Sequence, residues 1–75
     1  MKPRYGMVLS RGGYDVTIML LSPRIAYGDG HVTWLGLILR CGGQGKDLWR
    51  AGDIESLGPT DNRGQVDERY WKVLP

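Results

Sequence analysis

The chain has 75 residues, with ten basic and eight acidic side chains, a formal charge of +2, one cysteine and one histidine. A single cysteine excludes an intrachain disulfide, and one cysteine with one histidine excludes a structural zinc site of Cys and His ligands. The longest apolar runs, residues 16–21 and 32–39, fall far short of the roughly 20 residues a membrane helix needs.

That length fits one domain, residues 1–75, and a domain so small buries only about 60% of the surface its unfolded chain exposes. With disulfide and metal excluded, self-association is the expected source of extra burial. Lys2 and Arg4 are followed by too short an apolar run for an export signal. The lone thiol suits a reducing compartment, so the expected location is the cytoplasm.

Twelve glycines divide the chain into pieces of strand length. Residues 5–9 read as a first strand and Ser10-Arg11-Gly12-Gly13 as its turn. Residues 14–21 form a second strand rich in Val, Thr and Ile. Its alternate faces are Val16, Ile18, Leu20 and Thr17, Met19, Leu21. Both are largely apolar, as for a strand covered on both sides or one offering an interface. Ser22-Pro23 is expected to end this strand, because proline cannot donate to a ladder, and residues 24–27 form a short edge piece. Gly28-Asp29-Gly30 turns the chain into the longest strand, residues 31–40. Trp34 on that strand is expected in the core, and Gly36 at its middle predicts a bulge or sharp bend. After a turn at residues 41–46, residues 47–50 lead to a corner at Ala51-Gly52-Asp53 and a short strand at residues 54–57. A polar loop over residues 58–64 follows. Residues 65–69 form either one helical turn or a loop, and residues 70–74 a closing strand. The fold expected is all-β: a small, strongly bent antiparallel barrel of five to six strands.

Residues 32–39 (VTWLGLIL), 49–54 (WRAGDI) and 70–74 (YWKVL) together resemble a Src-homology-3-like small barrel. The resemblance implies the fold and carries no binding residues with it. Small proteins of this look are common on phage and other mobile elements.

No constellation for catalysis assembles. Cys41 and His31 lie at opposite ends of one predicted strand, roughly 33 Å apart at about 3.3 Å per residue, which excludes a Cys–His pair within one chain. Asp29 and His31 fit a hairpin turn better than a two-ligand metal site. Asp53 with Glu55 and Asp67 with Glu68 fit a solvated face better than an acid–base pair. Gly42-Gly43-Gln44-Gly45-Lys46 lacks the spacing and the helix of a phosphate loop. No enzyme, cofactor or metal is expected.

Charge is uneven. Residues 1–46 hold six bases against two acids, and residues 47–75 four bases against six acids. Seven of the ten bases are arginine, the residue suited to interfaces and to stacking on rings. With three Trp and four Tyr, this favours a non-enzymatic interaction module that binds a protein partner or copies of itself. The alternative is a nucleic-acid-binding barrel with a basic N-terminal half. For either, the expected contact residues are Arg4, Arg11, Arg24, Arg40, Lys46, Tyr5, Tyr14, Tyr27 and Trp49.

Overall fold

The computed structural model describes residues 1–43 and 47–75. It is all-β, with strands β1 (Val8–Arg11), β2 (Val16–Ala26), β3 (Val32–Cys41), β4 (Ile54–Leu57) and β5 (Lys72–Leu74). They form one antiparallel sheet in the order β4-β3-β2-β1-β5. The outer strands β4 and β5 have one neighbour each, so the sheet bends without closing. Among the described residues no helix is long and apolar enough to cross a membrane.

The first strand starts later than expected. Gly6 adopts φ +82° and the Met7 N–H reaches the Arg4 carbonyl, so residues 4–7 make a turn and pairing begins at Val8. Tyr14 belongs to a 3-10 turn (Gly12–Tyr14), not to β2. Asp15 closes that turn at φ 48°, a left-handed position that short polar residues tolerate.

Proline does not end the second strand. Pro23 pairs with Trp34, and β2 continues to Ala26. Pairing with β1 extends only as far as the bonds between Leu20 and residues 6 and 7. Beyond them β2 is an edge, and an edge tolerates a residue without an N–H. The proposed edge piece at residues 24–27 is thus the end of this long strand.

Three bulges bend the β2–β3 pair. The register skips Leu39 on β3, and Leu21 and Arg24 on β2. The middle one falls where Leu20 pairs with Gly36, the site expected to bend. A Cβ on Gly36 would lie 2.8 Å from Leu57 Cδ1, so glycine there lets β4 pack closely.

One face of the sheet holds the core: Leu9, Val16, Ile18, Leu20, Trp34, Ile38 and Leu57. The connection over residues 58–71 closes this face, burying Pro59, Thr60, Val66 and Trp71 against it. Its polar groups are paired, as buried backbone requires. Thr60 Oγ1 accepts from the Val32 N–H at 3.1 Å and donates to the Val32 carbonyl. The Val66 N–H donates to the Met1 carbonyl and the Asp67 N–H to the Pro59 carbonyl. The helical turn allowed at residues 65–69 is absent. Val66 forms an isolated bridge with Thr60, and a hydrogen-bonded turn follows in which the Asp67 carbonyl accepts from the N–H groups of Tyr70 and Trp71.

Candidate interaction surface

The face away from the core is also apolar, and register shows how far. Ile54 of β4 pairs with Leu37 of β3, Leu37 with Met19 of β2, Met19 with Val8 of β1, and Val8 with Leu74 of β5. Directly paired residues project to the same side of a sheet. The five therefore make one unbroken apolar row across every strand, from one edge to the other. None belongs to the core; four are half-buried, and Ile54 is 57% exposed. Leu35 and the bulged Leu21 flank the row on one side, and the bulged Leu39 on the other at 44% exposure. Ser10, Thr17, Arg40 and Lys72 bound it at one end and Ser22 and Ser56 at the other. An apolar centre with a polar rim is the composition of a protein–protein contact surface.

Of the residues expected to make contacts, Arg40 borders the row and Arg4 and Tyr5 share a hollow with Val8 and Leu74, while Arg11, Tyr14 and Trp49 lie elsewhere. Arg11 is held in a cage: its guanidinium carbon lies 4.9 Å from the Tyr14 ring centroid, 5.2 Å from that of Tyr70 and 5.7 Å from that of Trp71. Trp49 stands edge-on to Tyr14 with centroids 5.9 Å apart, and its carbonyl accepts from the Cys41 thiol at 3.1 Å. Arg11, Tyr14 and Trp49 thus tie the 3-10 turn and the β3–β4 connection to the closing turn before β5, a structural task. Arg40 lies 3.3 Å from Asp15 in an exposed ion pair. Arg4 and Tyr5 sit on the N-terminal turn, and Arg24 and Tyr27 on the exposed end of the β2–β3 hairpin; Tyr5 is 77% and Tyr27 52% exposed. Among the described residues neither Arg4 nor Arg24 has a carboxylate partner. Lys46 lies outside the described residues.

Acidic groups mostly shape loops. Asp29 Oδ1 accepts from the His31 N–H, with the two side chains 3.9 Å apart, which is the turn role expected of them. Asp61 Oδ1 accepts from the backbone N–H groups of Arg63 and Gln65, and these bonds hold its carboxyl below the usual value. Asp67 is nearly buried and receives a bidentate pair from Arg69, with Nε to Oδ1 at 2.9 Å and Nη2 to Oδ2 at 2.8 Å. That pair lowers the Asp67 pKa and raises that of Arg69. Among the described residues no group of three or more His, Cys, Asp or Glu side chains is placed to hold a metal ion.

Sequence reasoning found the ingredients of the apolar row, since both faces of the second strand read as apolar, but not the row itself. A row needs the register of five strands, and register between distant strands is not written in any one of them.

No family model matches the chain, and neither a curated protein nor a solved structure matches it.

Proposed function

We propose that the protein is a non-enzymatic interaction module that docks a protein surface on the outer face of its sheet. The edge-to-edge apolar row Ile54–Leu37–Met19–Val8–Leu74 carries this reading. A monomeric soluble domain rarely leaves a contiguous apolar patch without a use for it. The strand order β4-β3-β2-β1-β5 supports likeness to a Src-homology-3-like barrel, and the single half-buried thiol suits a cytoplasmic setting. The test is proximity crosslinking in source cells with wild-type protein and Leu37→Asp. Leu37 lies outside the core, so the variant should fold and lose its crosslinked partners. An identical set of partners for both proteins would end the reading.

A second reading rests on Arg4, Arg24, Tyr5 and Tyr27, which leave two cations and two rings open at the surface. Single-stranded nucleic acid is held by such pairs through backbone contact and stacking. Fluorescence polarisation with short oligonucleotides at low salt decides it, because the binding must weaken steeply as salt is added. No binding at low salt removes this reading and leaves the first untouched.

A further inference from the structure

We infer that the free edge of β5 is a second binding site, which takes an extended peptide as a sixth strand of the sheet. The site is separate from the outer face, sharing Leu74 with its apolar row and Lys72 with its rim.

Backbone direction opens the edge. Alternate residues of an antiparallel strand turn their N–H and C=O groups to opposite sides. The Leu20 N–H donates to the Met7 carbonyl, so Met7 faces β2, and Leu9 two residues on does the same. Val8 and Ser10 then face β5, where they pair with Leu74 and Lys72. Val73 lies between those two and turns both of its backbone groups away from β1. Among the described residues neither group has a backbone partner. An edge of this kind is a template for an added strand.

The edge also lies in a hollow. Every residue of β5 lines it, together with Met1, Glu68, Trp71 and Pro75, and its volume is about 660 Å³. That falls within the roughly 300–1,000 Å³ of ligand sites. The other free edges are less accommodating. The hollow near β4 touches that strand only at Glu55. The free stretch of β2 carries Pro23 and the bulged Leu21 and Arg24, which interrupt a ladder. β5 keeps an unshifted register with β1.

Side chains choose the peptide. Successive residues of an added strand project to opposite faces. The residue opposite Val73 points to the inner side, since Val73 pairs with Leu9 of the core. Val73 and the buried Trp71 give that side an apolar floor, and Glu68 on its wall disfavours a carboxylate. The residues before and after project outward, one beside Leu74 and one beside Lys72. Lys72 is exposed and has no carboxylate partner among the described residues, so it selects an acid. Arg4 borders the neighbouring hollow on the same edge and adds a second base. Read antiparallel, like every other pair in the sheet, the fitting segment is apolar, apolar, acidic, set against Leu74, Val73 and Lys72.

The probe is a fluorescein-labelled Thr-Leu-Val-Glu-Thr peptide with blocked ends. Fluorescence polarisation should show saturable binding, and amide exchange at Val73 should slow in saturating peptide. Methylating the nitrogen of the peptide's valine removes the donor to the Val73 carbonyl and should weaken binding about 3- to 10-fold. Lys72→Glu should weaken the same peptide and prefer one with lysine in place of its glutamate. Unchanged exchange at Val73 in millimolar peptide overturns the site. An N-methylated peptide that binds as tightly as its parent overturns strand addition. Equal affinity of Lys72→Glu for the two peptides overturns the register and the acidic preference.

Discussion

The inner and outer faces of the sheet use the same residue types one position apart along each strand. Leu9, Ile18 and Ile38 point inward and are essentially inaccessible, while their neighbours Val8, Met19 and Leu37 point outward and stay half-buried. What separates them is the connection over residues 58–71, which crosses only the inner face and fixes itself there through Thr60, Val66 and Trp71. Hydrophobicity alone therefore does not decide which side of this sheet becomes a core. The cover decides, and the side without one stays half-exposed.

The sharpest way to break this contrast is to truncate matched residues on the two faces. Ile18→Ala removes a fully buried side chain and should cost about 2–5 kcal/mol. For a 75-residue domain whose whole stability is roughly 4–11 kcal/mol, that approaches unfolding. Met19→Ala, next along the strand, should cost the isolated chain about 1 kcal/mol or less. Urea melts of both variants at low protein concentration check the pair, and equal losses would mean the two faces are not different in kind.

The cover's attachment can be probed next. Gly30 has φ +91°, and a Cβ there would lie 2.3 Å from the Asn62 backbone carbonyl oxygen. A backbone atom cannot swing aside as a side-chain end can. Gly30→Ala combines a left-handed strain with an overpacked contact and should cost about 2–4 kcal/mol in a thermal or urea melt. Thr60→Val should cost about 1–3 kcal/mol, because it leaves the Val32 N–H without its acceptor under the cover. Both act on the contact between the β2–β3 hairpin and residues 58–71, so both should raise hydrogen exchange at Val66 before they raise it at Ile18.

How much of this was legible follows the range of the interactions. Glycine turns at residues 28–30 and 51–53, the bend at Gly36 and the burial of Trp34 depend on a residue and its near neighbours, and the sequence displays them. The continuation of β2 through Pro23 depends on where β1 stops pairing, a fact about another segment. Arg11 reads as a contact residue from sequence because two of the rings that enclose it, Tyr70 and Trp71, come from the far end of the chain. Only residues 58–64 of the cover read as a polar loop, since Pro59, Thr60, Asp61 and Asn62 resemble any surface connection. Its burial comes from Val66 and Trp71 and from the hydrogen bonds of Thr60, and only the fold brings these together.

The smallest expected effect tests whether the cover's charges keep the inner face shut. Asp61 and Asp67 both lie in residues 58–71, and both carboxyls are held below their ordinary value of 3.8, one by two backbone N–H groups and the other by Arg69. The folded state therefore binds their protons less readily than the unfolded state does. The stability they contribute is complete above about pH 5 and is lost as the pH falls through their lowered values. Melting temperatures measured from about pH 6 down to pH 2 should decline across that window, and Asp67→Asn should be less stable at neutral pH but lose less on acidification. Hydrogen exchange at Val66 and Asp67 across the same window reports the cover. A decline of equal steepness in Asp67→Asn would assign acid sensitivity to other carboxylates and leave Arg69 as a surface charge without a structural task.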